Sequence, residues 1–147
     1  MELNAAGLMV RNVLDVMFSN NQYAELTSMV IMPNHLHCLI CIMADGGMGL
    51  PQMMRYLKSR TTVEYIHGVK EKGWPRFDGQ LWQNRYYDHI VRNQKSYDKI
   101  NEYIYLNPER WNKDKLNMKC DADADDINMI IKNCENGQIQ EYVPTSK

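Results

Sequence analysis

The sequence predicts a single α+β domain with an antiparallel sheet, and three observations lead to that prediction. The chain has 147 residues, enough for one domain whose hydrophobic core needs no disulfide or structural metal. Apolar residues recur at helical spacing in three segments and at strand spacing in three others. The predicted order is helix, strand, strand, helix, strand, helix, which lacks the strict alternation of a doubly wound parallel sheet.

Periodicity places a helix and a hairpin in the N-terminal third of the chain. Residues 5–19 carry apolar side chains at helical spacing, and Asn20-Asn21 predicts the end of this helix. Residues 23–32 and 35–43 are rich in β-forming side chains. The turn signal Pro33-Asn34 separates these two segments, so together they predict a β-hairpin.

The middle of the chain predicts a second helix, a third strand and a third helix. Pro51 suits the first turn of a helix in which apolar residues recur near 3.6 spacing over 52–69. Three glycines and a proline then predict a loop over 68–79. Residues 81–92 alternate and are aromatic, which predicts a strand. Ser96 is a good N-cap for a helix over 96–107, and Pro108 limits how far that helix continues.

The C-terminal part differs in composition from the rest of the chain. We expect one folded domain over residues 1–112 and an acidic extension over 113–147, in which 127–134 predict a short helix. The chain has no apolar run near the roughly 20 residues of a membrane helix, and its first residues do not resemble a signal peptide. These features predict a cytoplasmic protein with no membrane segment.

Charge is unevenly distributed, although the net charge of the chain is only −1. Residues 55–99 carry ten basic and five acidic side chains, whereas the segments on either side are net acidic. A basic middle is consistent with a phosphate-binding surface. On charge alone, a solvated surface of mixed charge is the simpler interpretation.

His35 and His37 are the first candidates for chemistry. Residues i and i+2 of a strand point to the same face, so both imidazoles can bind one divalent ion. The pattern is weak by itself, but these histidines begin an apolar strand, where unpaired imidazoles would be costly. Cys38 and Cys41 have CxxC spacing, but residues three apart on a strand face opposite ways, which disfavours a zinc site.

Tyr103 and Asn107 lie four residues apart on the predicted third helix and therefore share one helical face. An amide oxygen can serve as a third ligand for a hard cation. A phenol one turn away would then lie beside a metal-bound phosphate, where it can act as a nucleophile. By residue type alone, a core or surface aromatic is the simpler interpretation of Tyr103.

Three sequence blocks resemble the single-tyrosine HUH transposases, particularly the REP-associated group. VIMPNHLHCLI resembles the HUH segment of that family, LWQNRYYDHIVRN resembles its WQ-aromatic-DHIIRN strand, and NEYIYLNPERW resembles its EYI-x-x-NP-x-x-W block. The blocks occur in the family's order and at its intervals, roughly over residues 28–112. The resemblance implies a ferredoxin-like fold with helices packed on one face of the antiparallel sheet, with the HUH strand central and the tyrosine helix across it.

The resemblance also implies roles for individual residues. His35 and His37 would be the paired metal ligands, Asn107 a polar third ligand, and Tyr103 the nucleophile. Tyr105 is the alternative nucleophile, but position i+2 of a helix points away from Tyr103. Residues implied or proposed to contact DNA through phosphates or bases are Lys58, Ser59, Arg60, Arg85, Tyr87 and Arg92.

The activity that the resemblance implies is metal-assisted transesterification of single-stranded or hairpin DNA. One Mg²⁺ or Mn²⁺ ion would polarise the scissile phosphate, and Tyr103 would form a 5′-phosphotyrosine link and release a 3′-hydroxyl. Attack in reverse would rejoin the DNA without an external energy source. We expect residues 1–112 to be the catalytic domain, acting as a monomer or a homodimer.

The chain departs from the family pattern at its N-terminus, because it opens just after the point where relatives place their first strand. That strand would lie in the sheet beside the HUH strand, and its absence would leave an unpaired edge. A second hypothesis is therefore a catalytically inactive, truncated DNA-binding remnant of such a transposase. A third hypothesis is an unrelated metallohydrolase, which would need further carboxylate ligands and would not need Tyr103.

Overall fold

The structure, a computed structural model, describes residues 2–111, 127–135 and 138–139 of the chain. The elements, in chain order, are α1 (Ala5–Ser19), β1 (Ala24–Ile31), β2 (Leu36–Ile42), α2 (Leu50–Lys72), β3 (Tyr87–Val91), α3 (Gln94–Arg110), β4 (Ile127–Glu135) and β5 (Gln138–Ile139). The order of the strands in the sheet is β1–β2–β4–β3, and the short strand β5 pairs with β4. This mixture of helices and strands confirms the predicted α+β class.

The N-terminal helix and hairpin form as the sequence predicts. The side chain of Asn4 accepts a hydrogen bond from the Gly7 amide at 2.9 Å, which caps the first turn of α1. β1 and β2 pair antiparallel, with Ile31 opposite Leu36 at the turn end. A hydrogen bond of 2.8 Å from the Met32 amide to the carbonyl oxygen of His35 closes the turn between the two strands. The predicted hairpin is therefore confirmed.

α2 extends three residues beyond the predicted apolar pattern, into a segment that was predicted to be a loop. Position 68 of the helix requires a glycine, because Trp74 packs over the helix there and a β-carbon would come within 2.3 Å of its ring. The helix ends at Gly73, whose φ of 69° is the left-handed conformation that favours glycine after a helix. The close packing of Trp74 on Gly68 thus accounts for the glycine inside the helix.

The third strand is shorter than predicted, and the third helix is longer. Only residues 87–91 of the predicted strand 81–92 pair in the sheet. The N-cap of α3 is Asn93, whose side chain accepts a hydrogen bond from the Ser96 amide, so the prediction of Ser96 as the cap is wrong. Pro108 lies inside the helix, which continues only two residues further, to Arg110.

The prediction of a short helix over residues 127–134 is wrong, because these residues form β4. β4 lies between β2 and β3 and runs parallel to both. Ile127, Ile130 and Ile131 are β-branched, and a short apolar run does not by its periodicity distinguish a strand from a buried helix. β4 therefore pairs with both β3 and the β1–β2 hairpin and joins them into one sheet. Its parallel pairing departs from the all-antiparallel sheet that the family resemblance implies.

Helices cover both faces of the sheet, because side chains alternate across the interior strand β2. On one face, Leu36 and Ile40 pack into a core with α1 and α2. On the other face, Leu39 packs with Val91 of β3 and Ile104 of α3. The predicted central position of the HUH strand and the packing of the tyrosine helix across it are confirmed. The expected placement of helices on one face holds for α1 and α2 but not for α3.

Cys38 belongs to the core beneath α1 and α2, where its side chain is fully buried. Burial raises the pKa of its thiol to about 12, so the group is neutral and acts in packing. Among the helices that the structure describes, none has the length and apolar character needed to cross a membrane.

A proline in β4 should destabilise the protein strongly, because β4 has a hydrogen-bonded neighbour on each side. We expect Ile131→Pro to lower the free energy of unfolding by about 3 kcal/mol or more. The expected fall in melting temperature, measured by circular dichroism, is roughly 6 to 12 °C. Gln80→Pro, at an exposed position outside regular structure, is the control. Equal melting of the two variants would contradict the interior position of β4.

Candidate active site

Two buried imidazoles form the centre of the candidate site. His35 precedes β2 and His37 lies within it, and their relative exposures are only 3% and 2%. Their ring centroids are 4.8 Å apart, with an angle of 74° between the ring planes. Two imidazoles this close on one face of a strand can direct ring nitrogens at one cation, as the sequence predicts.

The turn before β2 orients the first imidazole. Nδ1 of His35 lies 2.8 Å from the side-chain oxygen of Asn34. Since an amide oxygen only accepts hydrogen bonds, Nδ1 is the donor in this contact, and the neutral ring with its proton on Nδ1 can offer the lone pair of Nε2 to a cation. Sequence reasoning missed Asn34 as a functional residue, although its position next to a predicted ligand was a usable signal. Such partners of histidine ligands typically set the orientation and basicity of the ring.

One stripe of α3 covers the imidazole pair. The Tyr103 ring packs edge-on against His37, with centroids 5.3 Å apart. Two helical turns later, the Trp111 ring lies 5.9 Å from the ring of His35. Asn107 lies between these two aromatics on the same helical face, because positions i, i+4 and i+8 align. The helix therefore brings together a phenol, an amide and an indole over the two histidines.

Asn107 is the most unusual residue of this stripe, because its polar side chain is only 2% exposed. Its Oδ1 atom is buried and has no hydrogen-bond partner among the residues that the structure describes. A buried amide oxygen normally has a partner, since leaving it unsatisfied costs free energy. An oxygen donor of this kind fits a hard divalent cation, and the imidazole nitrogens beside it fit Mn²⁺ well.

Exposure and packing separate the two candidate nucleophiles. The ring of Tyr103 contacts His37, and Tyr103 is nevertheless 42% exposed to solvent. Tyr105 is 79% exposed and lies on a different face of the helix. Tyr103 is therefore the tyrosine of this pair whose ring packs against an imidazole.

The residues predicted to contact DNA fall into two groups. Tyr87 is 62% exposed, and its Cα is in register with that of His37 through Asn128 of β4. Parallel register partners face the same side of a sheet, so Tyr87 lies on the imidazole face, about 10 Å from His37 at two strand spacings. Arg85 is exposed two residues before Tyr87. Tyr87 is therefore the predicted contact that the sheet register places on the imidazole face, and Arg85 lies two residues before it in the chain.

The remaining predicted contacts lie away from the imidazoles. Ser59 and Arg60 are exposed on α2, which packs on the opposite face of the sheet, and Arg60 pairs with Glu64 at 2.9 Å. Arg92 follows the far end of β3, about 15 Å along the strand from Tyr87. Lys58 donates hydrogen bonds to backbone carbonyls of the segment before β3, at Gln83 and Arg85.

The alternative of a metallohydrolase would need further carboxylate ligands. Among the residues that the structure describes, no group of three or more His, Cys, Asp or Glu side chains that could hold a metal ion occurs. The donor set at this site is two imidazoles and an amide, with a tyrosine beside them. This set fits phosphoryl transfer to a phenol better than hydrolysis by a metal-bound water.

Comparison with known proteins decides the family. The family described as "Transposase IS200 like" matches residues 9–107, a stretch that includes both imidazoles, Tyr103 and Asn107. The chain belongs to this family. The assignment confirms the family predicted from the three sequence blocks. Trp111 and β4 lie outside the residues that match this family.

Individual relatives agree with this assignment. An uncharacterised protein of Haemophilus influenzae is 33% identical over 129 residues, which cover 79% of this chain and 72% of that protein. A REP-associated tyrosine transposase of Escherichia coli is 31% identical over 84 residues, covering 57% and 44%. A putative REP-associated tyrosine transposase of Haemophilus influenzae is 25% identical over 87 residues, covering 57% and 49%. The matched part of this chain thus spans about half the length of each REP-associated relative, and no solved structure matches significantly.

Asn107 of this IS200-like transposase should contribute little to stability. Asn107→Leu replaces the buried amide by an apolar group of similar shape and removes an unsatisfied oxygen, whose burial costs about 1–3 kcal/mol. We expect a melting temperature in EDTA equal to or above that of the wild type. Ile104→Ala, at a fully buried apolar position of the same helix, is the control and should cost about 2–5 kcal/mol. A comparable loss from Asn107→Leu would mean that the amide stabilises the fold.

Proposed function

We propose that this IS200-like transposase cleaves and rejoins single-stranded DNA, with Tyr103 as the nucleophile. The observation that carries the proposal is the stripe of α3 in which Tyr103 packs against His37 and is followed one turn later by the buried amide of Asn107. A phenol, two imidazoles and an amide oxygen converge on one face of the sheet, and the phenol remains accessible from solvent. This combination serves phosphoryl transfer to a tyrosine.

The imidazoles and Asn107 would hold one Mg²⁺ or Mn²⁺ ion. The fit rests on the orphan Oδ1 atom of Asn107 and on the proximity of the two rings, of which His35 is oriented by Asn34. A divalent ion bound there would stabilise the negative charge that develops on the scissile phosphate. Trp111 covers the ring of His35 and shields that side of the site from water.

The chemical step follows from the position of the phenol. The Oη atom of Tyr103 attacks the phosphorus, and the phenolic proton passes to solvent. The bond from phosphorus to the 3′-oxygen breaks, and that oxygen takes up a proton to leave as a 3′-hydroxyl. The protein then holds the 5′-phosphate as a phosphotyrosine. Attack by a 3′-hydroxyl on this link reverses the step and rejoins DNA, with one phosphodiester bond exchanged for another.

DNA near the scissile phosphate would contact Arg85 and Tyr87. The exposed ring of Tyr87 can stack on a base, and the guanidinium of Arg85 can pair with a phosphate. Ser59, Arg60 and Arg92 lie away from the imidazoles, so they would contact only DNA that extends beyond the cleavage point, such as the duplex of a hairpin. Single strands suit the site because bases can reach Tyr87 only when they are not stacked in a duplex.

Tyr103→Phe should abolish the covalent protein–DNA adduct, because it removes only the attacking oxygen. The measurement uses labelled hairpin DNA with a single-stranded flank, Mn²⁺ and a denaturing gel. Tyr105→Phe is the matched control, since this neighbouring tyrosine lies on another helical face, and it should form the adduct at the wild-type rate. An adduct that survives in Tyr103→Phe and disappears in Tyr105→Phe would transfer the nucleophile to Tyr105.

Wild-type protein that binds the DNA with metal present, but forms no adduct, would favour the alternative of an inactive DNA-binding remnant. The same DNA must carry a site that a cleaving relative cuts under the same conditions. Absence of both binding and adduct would reject the proposed function altogether.

Metal binding can be tested without DNA. We expect His37→Ala to weaken Mn²⁺ binding by at least about tenfold, because it removes a buried nitrogen ligand. The measurement is a titration followed by the electron paramagnetic resonance of free Mn²⁺. His89→Ala is the control, since His89 is exposed on β3 and lies apart from the pair. Equal affinity of both variants would contradict the assignment of His37 as a ligand.

A further inference from the structure

Residues 82–86 form a segment without regular structure that directly precedes β3. Two residues of α2 hold this segment in place. Nζ of Lys58 donates hydrogen bonds to the carbonyl oxygens of Gln83 and Arg85, the latter at 3.0 Å. The same ammonium lies 5.8 Å from the centroid of the Tyr86 ring. One cation thus binds two backbone carbonyls and an aromatic face of this segment.

Thr61 provides a second point of attachment one turn further along α2. Its hydroxyl is fully buried and accepts a hydrogen bond of 2.7 Å from Nε1 of Trp82. The hydroxyl in turn donates to the carbonyl oxygen of Leu57 at 2.7 Å, so both of its hydrogen-bonding roles are used. The indole of Trp82 packs against the core formed by α1 and α2. Lys58 and Thr61 therefore fix both ends of the segment.

The attached segment lies within the predicted strand 81–92. The carbonyl oxygens of Gln83 and Arg85 accept from Lys58, and pairing in the sheet starts at Tyr87. Burial, and after it the carboxylate of Asp88, raise the pKa of Tyr86, so its phenol stays neutral beneath the ammonium. The segment contains Arg85 and ends directly before Tyr87, the two side chains proposed to bind DNA.

We propose that Lys58 and Thr61 are positioning residues for DNA, acting through the 82–86 segment on Arg85 and Tyr87. Lys58 does not contact a phosphate itself, because its ammonium is turned to backbone carbonyls and α2 packs on the sheet face opposite the imidazoles. Arg85 is held at its own carbonyl oxygen, and Tyr87 is in register with His37 through β4. Release of the segment would shift both side chains relative to the scissile phosphate. The inference rests on the proposed function.

A double-mutant cycle distinguishes positioning from direct contact. The affinity for labelled single-stranded DNA is measured for the wild type, Lys58→Met, Arg85→Ala/Tyr87→Ala, and the combination of all three substitutions. We expect Lys58→Met to weaken binding about tenfold in the wild-type background, the loss typical of a charge-assisted hydrogen bond. In the Arg85→Ala/Tyr87→Ala background it should change affinity less than about twofold, because residues that act through one another are not additive.

Salt dependence provides the readout that a structural role alone would not move. A lysine that contacts a phosphate contributes about 0.7 to the slope of log affinity against log salt for single strands. In the Arg85→Ala/Tyr87→Ala background, we expect no change in this slope when Lys58→Met is added. A further tenfold loss of affinity, together with a fall of about 0.7 in the slope, would overturn the proposal in favour of direct phosphate contact.

Control variants separate positioning from general damage to the protein. Lys72→Met removes another lysine of α2, which lies over the Trp74 ring, and should leave DNA affinity unchanged. Lys58→Arg should recover part of the affinity, because a guanidinium can also donate to two carbonyls. If Lys58→Met melts below the assay temperature, Trp82→Phe replaces it, since that change removes the indole donor to Thr61 and keeps an aromatic ring against the core. Trp82→Phe must then show the same dependence on the Arg85→Ala/Tyr87→Ala background, or the proposal fails.

The outcomes also distinguish this inference from the proposed function. If the wild type binds no single-stranded DNA, the proposed function fails and this inference fails with it. If the wild type binds and Arg85→Ala/Tyr87→Ala binds equally well, the inference alone is overturned. Lys58→Met should bind Mn²⁺ as tightly as the wild type, because Lys58 lies on the opposite face of the sheet from the imidazoles. A loss of Mn²⁺ affinity would show instead that Lys58 supports the imidazole pair.

Discussion

The alternation of side chains along β2 is the constraint on which the other features depend. β2 lies inside the sheet and is buried on both faces, so each of its residues must either pack or find a polar partner. The even-numbered residues pack against α1 and α2. The odd-numbered residues begin with His35 and His37, and the rest of that face is covered by α3. The core with α1 and α2 and the two imidazoles therefore lie on opposite faces of this strand.

Burial of two imidazoles requires a helix that covers them with suitable groups, and α3 has this property along one stripe. Ile104 and Leu39 anchor the helix to the sheet through apolar contact, beside the stripe that carries Tyr103 and Asn107. The buried amide oxygen of Asn107 has no partner among the described residues, which is unfavourable in a fold selected for stability alone. Its presence is explained if the site has to bind something, and a cation is the ligand that its oxygen and the nearby imidazoles suit.

The basic middle of the chain divides into structural and accessible charges once it is folded. Lys58 binds backbone carbonyls, Arg60 pairs with Glu64, and Arg85 faces solvent on the segment before β3. Counting charges along the sequence treats these three residues alike, but their environments assign them different roles. A surplus of basic residues thus overstates the number of phosphate contacts, because some of them stabilise loops through backbone carbonyls.

Local patterns were sufficient for much of the fold and for the centre of the site. α1, the β1–β2 hairpin and the pair His35 and His37 follow from periodicity and turn chemistry, which act over a few residues. The pairing of Tyr103 with Asn107 follows from helical spacing, and the family from three short blocks.

Only the tertiary structure decided the contacts between segments that lie far apart in the sequence. The 127–135 segment is a strand because both of its edges find partners, Lys58 turns to a loop 25 residues away, and Trp111 meets His35 because α3 crosses the face of β2. Contacts between distant segments leave no period in a sequence, so their partners become visible only when the chain is folded.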